Sequence, residues 1–133
     1  MAASVRLMLV HLDNSALVDA FCGTRRSLPA LVAAVSAGEV LTFSTIVLYE
    51  WLRGPRTDPE RSAVSSFFDS ELLTAFGDRE ATTAASLYRQ VTRARQRQAD
   101  LAIAACAIEH GAALWTLNPA DFDDIPGLTL YRP

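Results

Sequence analysis

The chain has 133 residues, with 12 basic against 15 acidic side chains, and half of its residues are hydrophobic. This length suits one domain spanning residues 1–133, and the balance of charge and apolar content excludes an intrinsically disordered chain. All 12 basic residues are arginine, which excludes chemistry that depends on a lysine, such as a Schiff base or a phosphate-loop lysine.

The first half of the chain alternates short apolar runs with helical segments. The run Leu7–Leu12 ends at Asp13, which is typical of a buried strand followed by a helix cap. Pro29 and Gly38 are the start and stop signals of a helix. The predicted elements are strand Leu7–Leu12, helix Ser15–Phe21, helix Leu28–Ala37, strand Val40–Phe43, a helix capped by Ser44 and ending at Arg53, and helix Pro59–Leu73.

The second half continues the alternation. Asp78 can cap a helix from Arg79 to about Gln96, and Gly111 is a stop signal for a helix over Asp100–His110. The remaining predicted elements are strand Ala113–Thr116, loop Asn118–Asp124 and strand Leu128–Tyr131. Short apolar strands alternating with helices predict an α/β fold, a three-layer sandwich in which a short, mainly parallel central sheet is flanked by helices. Ligands of such sheets bind beyond the carboxyl ends of the strands.

The sequence has no clear pattern for a cysteine- or histidine-based metal or redox site, or for a membrane segment. Cys22 and Cys106 fit no metal-binding or redox spacing, and Cys106 lies in the apolar run Leu101–Ile108, so we expect it in the core. With so few cysteines, His11 and His110 cannot build a zinc site. No apolar run approaches the ~18 residues of a membrane span, and the apolar part of the first residues is too short for a signal peptide. We expect a cytoplasmic protein without membrane contact.

Four acidic residues are placed near the carboxyl edge of the predicted sheet. Asp13 closes the first strand, Glu50 lies in the helix after the second, Asp100 opens the helix before the third, and Asp121 follows the third. Asp13 and Asp100 could instead be simple helix caps. Glu50 is the only charge in an apolar helical stretch and needs a partner, a proton or a metal when buried. An ion pair with Arg53, three residues on, is the alternative.

Several carboxylates in one pocket repel one another and raise their pKa values, and a divalent cation removes that cost. Ligands that are all oxygen favour Mg²⁺ or Mn²⁺. Such an ion suits phosphodiester hydrolysis because it activates a water and stabilises the developing charge. Phosphatases of the haloacid dehalogenase type and receiver domains are poorer interpretations, since both normally use a lysine. A catalytically silent binding module, whose acids only cap helices, is the other alternative.

Three stretches carry a family resemblance: LDNSALVDAF from residue 12, STIVLYEWLRG from residue 44 and DLAIAACAIEHGAALWTLNPADF from residue 100. They resemble the motifs of PIN-domain ribonucleases, and their order and spacing are similar to those of the toxins of VapBC toxin–antitoxin operons. The resemblance implies that Asp13, Glu50, Asp100 and Asp121 form an acidic quartet. Asp13 and Asp100 would be the main metal ligands, and Glu50 would bind a second ion or orient the water. In the family the fourth acid can occupy the position held here by Asn118.

The resemblance also implies supporting residues and partners. Ser15 and Thr116 would orient the carboxylates by hydrogen bonds, and Asn118 would hold a ligand or a water. A cognate antitoxin protein would bury the site, and the chain would form a homodimer or a toxin–antitoxin hetero-oligomer. Trp51, Phe67 and Phe68 could form the groove for an antitoxin peptide or a dimer interface, with plain core packing as the alternative. Where many members have a Gly-containing loop, this chain has RARQRQA from residue 93.

The segment 79–97 contains five arginines and one glutamate, a local charge of +4 in a chain of net charge −3. On one continuous helix Arg89, Arg93 and Arg97 recur every four residues and line one face that leads towards Asp100. We expect this face to contact the phosphate backbone of RNA, with a solvated helix face as the alternative. The pair Arg25–Arg26 is a weaker candidate.

Overall fold

The computed structural model describes residues 8–133 and places a four-stranded parallel sheet at its centre. The strand order is β2-β1-β3-β4, and each of the three pairings is parallel. The strands are β1 Leu9–Leu12, β2 Val40–Thr42, β3 Ala113–Trp115 and β4 Thr129–Leu130. All four strands therefore end at the same edge of the sheet. The predicted start of the first strand at Leu7 lies outside the described residues.

Six α-helices lie in residues 8–133: α1 Asn14–Phe21, α2 Leu28–Ser36, α3 Thr45–Arg53, α4 Asp58–Phe67, α5 Asp78–Gln90 and α6 Gln98–Glu109. The caps come from local chemistry: Asp13 accepts from the Ser15 amide at the start of α1, and Ser44 accepts from the Val47 amide at the start of α3. The predicted α/β sandwich with a parallel sheet is confirmed. None of the described helices is long and apolar enough to cross a membrane.

Part of the core lies between the inner strands and α6, and α1 to α4 contribute buried side chains as well. Val10, Leu12 and Leu114 are fully buried, and α6 contributes the small side chains Ala104, Ala105, Cys106 and Ala107, none of which is exposed. Small residues let the helix backbone approach the sheet closely. The start of α6, which carries Asp100, is thereby brought to the edge where β1 and β3 end. The prediction that Cys106 is a core residue is confirmed.

The predicted helix Pro59–Leu73 is too long at its C-terminal end. The structure ends α4 at Phe67, and Phe68 turns to an extended backbone that places its ring against Phe43, at 5.0 Å between ring centroids. Asp69 then caps a short 3₁₀ turn over Ser70–Leu72. Trp51 and Phe68 are almost fully buried, and Phe67 is half-buried with its ring 4.9 Å from that of Phe68. Core packing therefore accounts for Trp51 and Phe68, and they form no surface groove.

The predicted helix from Arg79 to about Gln96 is also too long. α5 ends at Gln90, the β-branched Val91 is extended, and Arg93 adopts a left-handed backbone with φ 52° before a 3₁₀ turn over Ala94–Arg97. β-branched residues at 91 and 92 lower the helix propensity at this point. The prediction that Arg89, Arg93 and Arg97 share one helix face is therefore wrong.

Candidate active site

Asp13 is a carboxylate at the carboxyl edge of the sheet that accepts three hydrogen bonds. Its backbone amide donates to the carbonyl of Trp115 over 3.0 Å, which extends the β1–β3 pairing by one bond. One carboxylate oxygen, Oδ1, accepts from the Ser15 amide. The other, Oδ2, accepts from the hydroxyls of Ser15 over 3.2 Å and Thr116 over 2.6 Å. Asp13 thus caps α1 and is also held by two hydroxyls, which a simple cap does not require.

The two hydroxyls are themselves fixed in place. The oxygens of Ser15 and Thr116 lie 3.4 Å apart, and each also accepts a backbone amide, from Leu117 and Asn118 respectively. The loop after β3 is therefore tied to the side chains that orient Asp13. Ser15 and Thr116 thus both donate hydrogen bonds to Asp13, whereas Asn118 enters this network through its backbone amide.

Asp100 lies inside the first turn of α6 and is not its cap. Within residues 8–133 its carboxylate accepts no hydrogen bond. The pKa of Asp100 is raised from 3.8 to about 6, first by burial and then by the charges of Asp13 and Asp121, against an opposing effect of Arg97. A carboxylate that is half-buried, unbonded and close to two others is poorly explained by a structural role.

Glu50 is coupled to the same charges. Its side chain is 18% exposed, and the pKa of Glu50 is raised first by burial and then by Asp13, with a smaller contribution from Asp100. The alternative partner, Arg53, is 3.9 Å away and lies over the ring of Tyr49. This long, exposed contact only partly offsets the rise in the pKa of Glu50. The ion pair with Arg53 therefore does not explain why the Glu50 carboxylate lies in this mostly buried position.

Asp121 is exposed and lies in a 3₁₀ turn over Pro119–Asp121. It lines a cleft of about 520 Å³ together with Asp100, Arg93, Arg97 and Asp124. The structure therefore places the four predicted acids in one electrostatically coupled group at the edge where the parallel strands end.

The acids at this edge of the sheet form a donor set for a divalent cation. The ligands available are carboxylate oxygens, and the charges of Asp13 and Asp121 add to the effect of burial in raising the pKa of Asp100. This chemistry fits Mg²⁺ or Mn²⁺. Within residues 8–133 no three His, Cys, Asp or Glu side chains converge closely enough to enclose an ion as they stand. An open site fits Mg²⁺ in particular, because this ion keeps several of its waters and takes one or two carboxylates from the protein.

Arg97 has a structural role that the sequence did not indicate. Its guanidinium forms a two-pronged ion pair with Asp124, over 2.6 and 2.9 Å, and also donates to the carbonyls of Asp121 and Thr92. The side chain is 14% exposed. The ion pair lowers the pKa of Asp124. Arg97 therefore fixes the loop that carries Asp121 and has few donors left for a ligand.

The other two predicted arginines lie in different surroundings. Arg93 is exposed and lines the cleft that contains Asp100 and Asp121. Arg89 lines a separate, mainly apolar groove between α5 and α6, together with Tyr88 and Leu101.

A buried histidine lies on an inner strand of the sheet and faces a second, exposed histidine at the end of α6. His11 on β1 is 1% exposed, and neither ring nitrogen has a hydrogen-bond partner among the described residues. Burial and the neighbouring His110 lower the pKa of His11 to about 4. His110 in turn contacts Glu80, with Nε2 and Oε2 3.3 Å apart. In the sequence His11 was only one polar residue in an apolar run, so its unpaired state had no sequence signal.

The sequence matches the PIN domain family over residues 10–128. Because the match spans most of the chain, the protein belongs to the PIN domain family. A comparison with curated protein sequences gives no match.

Solved structures of toxin–antitoxin complexes have the same fold. VapBC2 from Rickettsia felis, bound to a DNA fragment from its promoter, is 22% identical with a TM-score of 0.72, covering 93% of this chain and 98% of that one. DNA-bound VapBC from Salmonella typhimurium is 20% identical with a TM-score of 0.72, covering 95% and 98%. A toxin–antitoxin complex from Klebsiella pneumoniae is 25% identical with a TM-score of 0.69, covering 95% and 99%. The predicted family and fold are confirmed.

Proposed function

We propose that this PIN domain is a metal-dependent endoribonuclease that hydrolyses RNA phosphodiesters and acts as the toxin of a type II toxin–antitoxin pair. The observation that carries the proposal is the gathering of Asp13, Asp100 and Asp121 at the carboxyl edge of the sheet, where burial and then the charges of Asp13 and Asp121 raise the pKa of Asp100 to about 6. Bringing these carboxylates together is electrostatically unfavourable, and no hydrogen bond within residues 8–133 stabilises the Asp100 carboxylate. Such an arrangement suits cation binding.

In this proposal Asp13 and Asp100 hold Mg²⁺ or Mn²⁺, with Glu50 and Asp121 completing the negative site. The bound cation supplies the positive charge that phosphodiester hydrolysis requires. The hydroxyls of Ser15 and Thr116 hold the Asp13 carboxylate in one orientation, and Asn118 fixes the Thr116 hydroxyl through its amide. Arg97 holds the loop of Asp121 in place rather than binding RNA, whereas Arg89 and Arg93 remain candidates for phosphate contact.

We further propose that a protein antitoxin covers the site. The complexes to which the chain is similar are toxin–antitoxin complexes, and α3 exposes 62% of Tyr49 and 52% of Leu52 on either side of Glu50. Apolar side chains next to a buried acid suit an interface. The chain then works in the cytoplasm, as a homodimer or as part of a toxin–antitoxin hetero-oligomer.

The test is cleavage of a panel of end-labelled RNAs by the purified chain with Mg²⁺, Mn²⁺ or EDTA. Asp13→Asn and Asp100→Asn should lose cleavage by at least roughly 100-fold, more than loss of a supporting hydrogen bond costs at a metal site. Asp58→Asn is the matched control, because its side chain is 92% exposed and pairs only with Arg61 on the surface. Cleavage that survives in EDTA, or equal rates for wild type and Asp13→Asn, would contradict the proposal.

A silent RNA- or protein-binding module on the same fold is the second candidate, favoured by the open arrangement of the acids among the described residues. The two are separated by thermal unfolding with millimolar Mn²⁺. An ion that binds only the folded state raises the melting temperature. An unchanged melting temperature, together with RNA that is bound but left intact, would favour the silent module.

A further inference from the structure

Two arginines of residues 8–133 have a left-handed backbone, Arg25 with φ 53° and Arg93 with φ 52°, and they are the only non-glycine residues there with positive φ. This conformation is unfavourable for a residue with a Cβ and is usually taken by glycine or asparagine. Strained positions of this kind concentrate at functional sites. Arginine at both positions therefore indicates a role for the two side chains.

Arg93 lies at one flank of the carboxylate cluster, the group formed by Asp13, Glu50, Asp100 and Asp121. It lines the same cleft as Asp100 and Asp121. The reversal of the chain at Arg93 separates it from α5 and places it at the rim of this cleft. Arg97 lines the cleft as well, but its donors are occupied by Asp124 and backbone carbonyls.

Arg25 lies in the turn that follows α1, the helix that begins next to Asp13. The preceding residue, Thr24, lines an open hollow of about 550 Å³ whose walls include Ser15, Cys22 and Leu117. The hydroxyl of Ser15 donates to Asp13, so this hollow adjoins the carboxylate cluster. The Arg25 amide donates to the carbonyl of Cys22 over 3.1 Å, which closes the tight turn at the rim of the hollow.

Both side chains are available to a ligand. Arg25 and Arg93 are exposed, and neither forms an ion pair within residues 8–133. The arginines elsewhere are more often committed: ion pairs hold Arg53, Arg61, Arg79 and Arg97, and Arg56 stacks on Trp51. A chain of net charge −3 that gathers acids at its site needs nearby cations to attract a polyanion.

We propose that Arg25 and Arg93 are a pair of phosphate-binding residues on the two flanks of the carboxylate cluster, and that single-stranded RNA crosses Asp13 between them. This inference rests on the proposed ribonuclease function. Arginine binds phosphate in a planar, two-pronged contact. A contact on each side of the scissile phosphate holds the strand across the acids. The mainly apolar hollow next to Ser15 leaves room for a nucleobase along the same path.

The left-handed backbone makes a sharp test possible. Arg25→Gly and Arg93→Gly remove the charge and relieve the backbone, so their melting temperatures should equal or exceed that of the wild type. Arg25→Lys and Arg93→Lys keep the charge. Arg79→Gln is the matched control, because Arg79 pairs with Glu109 at the end of α6 remote from Asp100.

The measurement is fluorescence anisotropy of a labelled, unstructured single-stranded RNA of about 12 nucleotides, long enough to span such a groove. EDTA is present to prevent cleavage, and the salt concentration is varied. Each glycine variant should raise Kd roughly 3- to 10-fold and reduce the slope of log K against log salt by about 0.7, the value for one lost phosphate contact on a single strand. The lysine variants should stay within about twofold of wild type, and Arg79→Gln should be unchanged.

The outcomes separate this inference from the proposed function. If the wild type neither binds nor cleaves RNA, the ribonuclease proposal fails and the inference fails with it. If the wild type cleaves RNA but either glycine variant keeps its Kd and salt slope, the paired contact is wrong and the ribonuclease proposal stands. The inference would also be overturned if the glycine variants lost binding and had lower melting temperatures than the wild type. It would equally be overturned if the lysine variants bound RNA as weakly as the glycine variants.

Discussion

Asp100 gives the most direct test of whether carboxylate repulsion is built into this fold. Its pKa is raised from 3.8 to about 6, first by burial and then by Asp13 and Asp121. A carboxyl whose pKa is higher in the folded than in the unfolded state destabilises the fold once it ionises. The cost is absent below about pH 4 and complete above about pH 6. Asp100→Asn should remove it, because no hydrogen bond within residues 8–133 is lost with the carboxylate.

The expected change in the free energy of unfolding follows from the shift in the pKa of Asp100. About two pKa units correspond to roughly 3 kcal/mol, and solvent screening of a half-exposed group reduces this to about 1.5 kcal/mol. Asparagine also loses the favourable interaction of a negative charge with the first turn of α6, about 0.5 kcal/mol. Asp100→Asn should therefore stabilise the metal-free protein by about 1 kcal/mol at neutral pH, a rise in melting temperature of roughly 3–5 °C for a domain of this size.

The assay is thermal unfolding in EDTA, followed by circular dichroism at about pH 7.5 and about pH 4, where the effect of ionised Asp100 should be present and absent respectively. Asp58→Asn is the control for loss of a carboxylate from the surface. Adding Mn²⁺ should reverse the order, because the wild type gains a ligand that the variant binds poorly. A variant less stable than the wild type in EDTA at neutral pH, or a difference that does not change with pH, would refute the reasoning.

Three further predictions concern other parts of the structure. The lowered pKa of His11, about 4, means that about 3 kcal/mol of stability is lost as pH falls from 6.5 through 4. His11→Leu should flatten this loss in urea unfolding series. Arg97→Ala should cost roughly 1–3 kcal/mol by removing the ion pair with Asp124, and in steady-state cleavage it should lower kcat more than it raises KM. Thr116→Val removes the 2.6 Å hydrogen bond to Asp13 and should raise the Mn²⁺ concentration for half-maximal cleavage roughly 10- to 100-fold.

Each of these has a clear contrary result. If the free energy of unfolding of His11→Leu falls as steeply with decreasing pH as that of the wild type, other groups cause the loss of stability. Equal stability of Arg97→Ala and wild type would mean that the ion pair contributes nothing to the loop. An unchanged Mn²⁺ requirement in Thr116→Val would show that Asp13 is oriented without this hydroxyl.

Much of the fold could be predicted because local chemistry sets where several helices begin and end. Ser44 at the start of α3 and Gly111 after α6 act within one turn of the chain, so their effects are visible in the sequence. The alternation of short apolar runs with helices likewise predicts a parallel sheet, since each strand is covered on both faces. The acids at the strand ends follow from that topology.

The errors arose where distant contacts decide the structure. Nothing between Gln90 and Gln96 is a strong helix breaker, so the break in the chain depends on burial of Ala94 and on the ties of Arg97 to the loop after β3. Those ties join residues that are 24 to 27 positions apart in the sequence. The role of Arg97 therefore could not be predicted from the spacing of arginines alone.

The thiols of the chain have a practical consequence. Cys106 has no exposed surface, whereas Cys22 is half-buried at the wall of the hollow beside Ser15. A maleimide dye should therefore couple selectively to Cys22 in the folded, unmutated protein, under mildly alkaline conditions because burial raises the pKa of this thiol. The chain offers no lysine for stray coupling. The native sequence thus already provides a spectroscopic reporter whose emission should respond when a ligand enters the hollow.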